Sequence, residues 1–189
     1  MLIELSDKSR AQSPDYLYKA LYYLEQSKKY AEAIEVAELF EKKHGLSEEN
    51  INRKIRMYDR LGNTDAMVLE LNKLITYDPN EPKYYIAKLQ LCQELNKKAT
   101  VDSIKKHVEQ KFINEPEVLR LLIKDTNPAI DSVRYNKLIE TMLQSNNIDA
   151  AAKVELLWPL VKEARTNESI QIKTLQQFKR VYDSAPTNS

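Results

Sequence analysis

The chain has 189 residues, 42% hydrophobic and 30% charged, with 29 Lys and Arg against 28 Asp and Glu for a formal net charge of +1. A balance so close to zero supplies no whole-protein field for nucleic acid or anionic lipid, which disfavours a general polyanion binder. One cysteine, Cys92, and two histidines, His44 and His107, preclude an internal disulfide and the cysteine and histidine ligand sets of structural zinc, while two glycines point to a mostly helical domain.

Residues 1–12 carry Leu2, Ile3 and Leu5 with no apolar partner nearby in sequence, and the Ser6-Asp7-Lys8 that follows is too polar for a signal-peptide core. This flanking segment reads as the frayed end of a preceding helix, as in a piece excised from a longer protein. No stretch approaches ~18 consecutive apolar residues, so the sequence predicts a soluble chain. Ser13-Pro14-Asp15 is a helix start: a hydroxyl to accept an orphan N–H, a proline with its φ already set, and a carboxylate for the helix dipole. A helix to about Gln26 places Leu17, Ala20, Leu21 and Leu24 on one stripe. After a turn at Lys28-Lys29, Ala33, Ile34, Ala37, Leu39 and Phe40 line a second helix that ends at Gly45. Ser47-Glu48-Glu49 opens the next pair, with Ile51, Ile55, Tyr58 and Leu61, then Gly62 in the turn, then Met67, Val68, Leu71, Leu74 and Ile75; Pro79 closes it. A third pair opens near Pro82 with Tyr85, Leu89, Cys92 and Leu95, turns through Lys97 to Thr100, and continues with Ile104, Val108 and Phe112.

Beyond Pro116 the helices continue without an evident repeat. Val118, Leu119, Leu122 and Ile123 form a short one, and Ile130, Val133, Leu138, Ile139, Met142 and Leu143 the next. A long helix from about Asp149 to Arg165 contains Pro159, which removes a backbone donor and predicts a kink after Trp158. Asn167 caps a last helix with Ile172, Leu175, Phe178 and Tyr182 on one stripe, closed by Pro186, with 184–189 as a disordered tail. No alternating strand pattern competes, so the fold class is all-α.

Tyr30 maps to Thr64 and Gly45 to Pro79, each 34 residues on. A helix, tight turn and helix repeating at ~34 residues is the tetratricopeptide length. From Ser13 the chain resembles that family through Ala20, Leu21 and Leu24, then Tyr30, Ala33 and Phe40, and in the second repeat through Ile55, Tyr58, Gly62 and Asp78-Pro79-Asn80. The family's usual helix-A tryptophan and glycine are absent, and the third repeat reads as carrying about three extra residues in its turn, with Pro116 rather than Ile113 closing it. The resemblance implies a right-handed α-solenoid of antiparallel helix pairs, with three pairs at 13–46, 47–80 and 81–116. Residues 117–189 read as divergent repeats continuing the superhelix, a separate small helical bundle being the lesser alternative. Leu46-Ser47-Glu48-Glu49, Leu74 to Asn80 and Lys83-Tyr84-Tyr85 are also similar to arrays in cell-envelope tetratricopeptide proteins of Bacteroidetes-type bacteria, as is Ile148-Asp149 with Ala152-Lys153-Val154 and Leu156-Leu157. That likeness implies a periplasmic or envelope location for a parent protein, against a cytoplasmic one for the chain as written.

The sequence holds no Gly-rich phosphate loop, HExxH, nucleophile elbow or EF-hand loop, so neither an enzyme nor a cofactor is expected. His44 beside Lys42-Lys43 suits a helix C-terminus, and His107 among Lys105, Lys106 and Lys111 suits a solvated face. Glu32, Glu35, Glu38 and Glu41 read as a charged outer face, Cys92 and Trp158 as core residues, and the Asn167-Glu168-Ser169 sequon as chance. No metal site is expected.

What remains is a binding surface. In the family, positions two, five, nine and twelve of helix A face a concave groove, which implies Asp15, Tyr18, Tyr22 and Glu25, then Glu49, Asn52, Arg56 and Asp59, then Lys83, Ile86, Gln90 and Gln93. The basic and asparagine clamp that grips chaperone tails is absent except for Asn52 and Arg56, so heat-shock chaperone tails are disfavoured as partners. Tyrosine and arginine are favoured at interface hot spots, although Tyr18 and Tyr22 read equally well as cover for the next helix pair. The expected function is a scaffold or adaptor that binds a peptide or extended protein segment through Tyr18, Tyr22, Asn52, Arg56 and Gln90. The alternatives are nucleic-acid binding through Lys97, Lys98, Lys105, Lys106 and Lys111, and a purely structural segment that stacks through its end helices.

Overall fold

The computed structural model describes residues 13–127, 130–164 and 168–184. Among them are ten helices and no strand: α1 (Pro14–Gln26), α2 (Tyr30–His44), α3 (Glu48–Arg60), α4 (Thr64–Tyr77), α5 (Pro82–Glu94), α6 (Lys98–Phe112), α7 (Pro116–Asp125), α8 (Ser132–Gln144), α9 (Ala150–Ala164) and α10 (Glu168–Ser184). The chain divides into two compact units, Met1–Ile104 and Lys105–Ser189, with the division inside α6. No described helix is long and apolar enough to cross a membrane. The expected flanking segment 1–12, the Asn167 cap and the tail beyond Ser184 lie outside the described residues; Ser184 itself ends α10.

The helix starts carry the repeat. The odd-numbered helices begin at Pro14, Glu48, Pro82, Pro116 and Ala150, each 34 residues after the last, and the even-numbered ones at Tyr30, Thr64, Lys98 and Ser132 hold the same step, with α10 two residues late. The expectation that Pro116 closes a lengthened third repeat is therefore corrected. Pro116 is the first residue of α7, the third turn has the length of the other two, and α6 begins inside the span expected as turn. Proline is accommodated at a helix start because the N–H it lacks has no intrahelical partner there.

The first three turns share one backbone solution. Lys28, Gly62 and Asn96 have φ of 57°, 68° and 54°, a left-handed conformation recurring at the repeat length. The next N–H in each case, of Lys29, Asn63 and Lys97, donates to the carbonyl five residues back, of Leu24, Tyr58 and Cys92, all at 2.9 Å. This is the Schellman closure of a helix C-terminus, for which glycine is the least costly residue. At helix starts, the Ser47 hydroxyl accepts from Asn50 N–H at 3.2 Å, whereas Ser13 stands at the N-cap of α1 without a side-chain cap bond.

Unit 1 is built in two layers. Odd helices are tied to odd helices, with the Arg53 guanidinium 5.4 Å from the centre of the Tyr18 ring and Lys83 Nζ 3.1 Å from Glu48 Oε1. Even helices are tied likewise: Lys73 Nζ lies 2.9 Å from Glu41, and Lys97 Nζ, just ahead of α6, 2.8 Å from Asp65. Between the layers Leu17, Leu21, Ala33, Ala37 and Phe40 form one buried cluster with Met57, and Ile51, Leu71, Leu74, Tyr84 and Leu91 a second. Each large aliphatic side chain so buried contributes about 1.5–3 kcal/mol. Ala33 and Ala37, both fully buried, allow α1 and α2 their close approach.

Unit 2 repeats the arrangement within itself. Arg120 of α7 reaches Glu155 of α9 at 3.2 Å, and Arg180 of α10 holds Glu140 of α8 at 2.8 Å. Val118, Leu119, Leu122, Leu138, Ile139, Met142, Leu156 and Leu157 are buried. Three expectations fail here. Ile130 and Val133 are exposed, because Ile130 precedes the Asp131 cap and Val133 sits in the first turn of α8, away from the Tyr135, Leu138, Ile139 and Met142 stripe. Trp158 is exposed rather than core, since α9 buries Lys153, Leu156, Leu157 and Leu160. In α10, Ile172, Leu175 and Tyr182 of the expected stripe are exposed and Phe178 is half-buried, and the helix buries Thr174 and Val181 instead. The chain runs helically through Pro159.

Candidate functional site

The eight candidate groove residues all lie on the odd helices of unit 1: Tyr18, Tyr22 and Glu25 on α1, Asn52, Arg56 and Asp59 on α3, Ile86 and Gln90 on α5. Tyr18 is half-buried, its ring edge-on to Phe40 at 4.8 Å with the Arg53 guanidinium on it, so it is occupied in covering the neighbouring helices. Tyr22 is 53% exposed and makes its ring contact with the adjacent Tyr23, also exposed, at 5.7 Å. Glu25, Asn52 and Ile86 are half-buried, whereas Arg56, Asp59 and Gln90 are exposed. The ninth residue of each odd helix in unit 1, Tyr22, Arg56 and Gln90, is thus presented to solvent in register.

Beneath this surface α2, α3 and α4 are locked by a four-membered ion network. Lys54, with no exposed side-chain surface, contacts Glu41 and lies 2.8 Å from Glu70; Lys73 lies 2.9 Å from Glu41 and 3.1 Å from Glu70. Alternating signs leave the group neutral, the condition for keeping buried charges ionised. Burial alone would raise the Glu41 carboxyl, but hydrogen bonds and charges from Lys54 and Lys73 outweigh it and hold its pKa below the ordinary value. Burial alone would lower Lys73, and its bonds to Glu41 and Glu70 reverse this, raising its pKa. The Asn50 side chain adds a buried bond to the Ala37 carbonyl at 2.9 Å. Glu41 therefore departs from the outer face expected of it: Glu32, Glu35 and Glu38 are exposed, while Glu41 turns inward because its position on α2 faces Lys54 of α3.

Sequence reasoning missed the network and two further residues. In unit 2 the fifth and ninth residues of α9 are Val154 and Trp158, both exposed, in the places that Tyr18 and Tyr22 occupy on α1. Counting from Pro116 and Ala150 as helix starts finds them.

The lysines of the nucleic-acid alternative divide between the units, Lys97 and Lys98 in the first and Lys105, Lys106 and Lys111 in the second. Lys97 is paired with Asp65, Lys105 with Asp125, and Lys111 stands over the Phe112 ring at 5.1 Å. Cys92 is buried with a free thiol. Among the described residues no group of three or more His, Cys, Asp or Glu side chains is placed to hold a metal ion. No protein-family model matches the chain, and no curated protein matches it.

Proposed function

We propose that the chain is a non-enzymatic interaction module of the tetratricopeptide type, a right-handed superhelix that holds a peptide or extended protein segment along its odd-numbered helices. One observation carries the reading: Tyr22, Arg56 and Gln90 recur at one helix position, solvent-presented, on a framework held by buried clusters and an ion network. A tyrosine ring, a guanidinium and an amide in a row suit recognition of a side chain, a carboxylate or carbonyl, and a peptide backbone. With neighbouring helices about 10 Å apart and an extended chain rising ~3.3 Å per residue, the ligand advances about three residues per helix pair. The role is that of a scaffold or adaptor, with no cofactor and no catalytic step.

The test is selection of peptides from a displayed library on the purified chain, followed by affinity measurement with the Tyr22→Ala/Arg56→Ala variant. Loss of binding with unchanged helicity supports the reading. Failure to select any peptide, or equal binding by the variant, overturns it.

A further inference from the structure

Tyr22, Arg56 and Gln90 are each the ninth residue of their helix, on α1, α3 and α5, and stand 34 residues apart in the chain. All three are exposed, and apart from the edge-on contact of Tyr22 with Tyr23 their side chains make no hydrogen bond, ion pair or ring contact among the described residues. Their polar groups are above all donors: a guanidinium that only donates, the N–H groups of an amide and a phenol hydroxyl. The Arg56 charge meets no described carboxylate at ion-pair distance, so the complementary ligand offers oxygen atoms that nothing else has claimed.

Neighbouring packed helices lie about 10 Å apart, and a ligand crossing the row has to present the same side to each helix at that step. A β-strand does not. Its side chains alternate, so the same face returns every two residues, about 7 Å, or every four, about 13 Å, and a step of three residues reverses it. A polyproline II helix has ~3 residues per turn and rises ~3.1 Å for each, so one face returns every ~9 Å. One turn therefore fits one helix pair. The same conformation leaves its backbone carbonyls without internal partners, and the prolines that favour it carry no N–H to compete for acceptors.

We propose that the occupant of the odd-helix face is a proline-rich segment in the polyproline II conformation, an inference that rests on the peptide-binding reading above. One proline ring of the segment lies on the exposed Tyr22 ring beside Tyr23, and carbonyls one and two turns further on accept from Arg56 and Gln90. A segment already held in this conformation loses little freedom on binding, which suits a face that supplies few contacts per helix.

The experiment measures binding of the whole purified chain to two labelled probes by fluorescence anisotropy. One is an oligoproline of about nine residues, three turns; the other is a threonine-rich peptide of the same length, which favours the β conformation. The expected result is saturable binding of oligoproline, at least about tenfold tighter than the threonine-rich probe and weakened at least about tenfold in Tyr22→Ala/Arg56→Ala. Both substituted sites are exposed, so helicity by circular dichroism stays unchanged. Tighter binding of the threonine-rich probe, lost in the same variant, overturns the polyproline II assignment and leaves the peptide groove standing. Oligoproline binding that the substitutions do not change overturns its placement on Tyr22 and Arg56. Binding of neither probe overturns the proposal, and the library selection above then decides separately whether the groove takes any peptide.

Discussion

Replacing Lys54 by alanine probes how unit 1 is held together. Lys54 has no exposed side-chain surface, and its partners Glu41 and Glu70 are only 17% and 6% exposed. Stranding a buried charge outright costs about 3–5 kcal/mol. Here Lys73 stays within 2.9 Å of Glu41 and 3.1 Å of Glu70, so about half of that cost, roughly 2 kcal/mol, applies. Losing three methylenes of the stem, at ~0.8 kcal/mol each, adds about 2 kcal/mol. Lys54→Ala is thus expected to cost about 4 kcal/mol and Lys54→Met, which keeps the stem volume, about 2 kcal/mol. At roughly 2–4 °C per kcal/mol for a chain of this size, thermal unfolding falls by about 8–16 °C and 4–8 °C respectively. Calorimetry or circular dichroism melts measure both. A Lys54→Met chain as stable as the parent refutes the reasoning, because the charges then contribute nothing net.

Three further outcomes follow from the same physics. Because the Glu41 pKa is depressed in the folded chain, its contribution is complete above the ordinary 4.5 and lost as pH falls through the folded-state value; the stability gap between the parent and Glu41→Gln is therefore flat through neutral pH and narrows below 4.5 in denaturant titrations. Gly62→Ala costs about 1–2 kcal/mol through its φ of 68° alone, since no atom lies within 4 Å of the added Cβ, while Lys28→Gly at φ 57° stabilises; paired urea titrations read both signs. Ser47→Ala loses about 1 kcal/mol with its cap bond, and Ser13→Ala, which has no such bond to lose, is near neutral in the same assay.

The helix starts opening the first three pairs and the turns of the first two were legible because each carries its own local chemistry: proline at Pro14 and Pro82, a capping serine at Ser47, glycine at Gly62. The continuation from Pro116 was not, because the fourth and fifth pairs keep the spacing without the turn residues that announce it; no glycine follows Gly62. Lys54 escaped notice because a lysine read alone belongs outside, and only the approach of α2 and α4 supplies the carboxylates that let it be buried. The α10 stripe misled for a different reason. That helix has apolar residues on two sides, and periodicity cannot say which of them packs inward. At the candidate site the sequence placed Tyr22, Arg56 and Gln90 on helices of the right register, but the engagement of Tyr18 with Phe40 and Arg53 depends on contacts between helices far apart in sequence.

The measurement that bears most directly on the account is backbone amide chemical-shift mapping of the chain with a selected peptide. A peptide held along the odd-numbered helices perturbs amides grouped on α1, α3 and α5 around Tyr22, Arg56 and Gln90, with α2 and α4 unmoved. Perturbations confined to α2 and α4, or spread evenly over the chain, would contradict it.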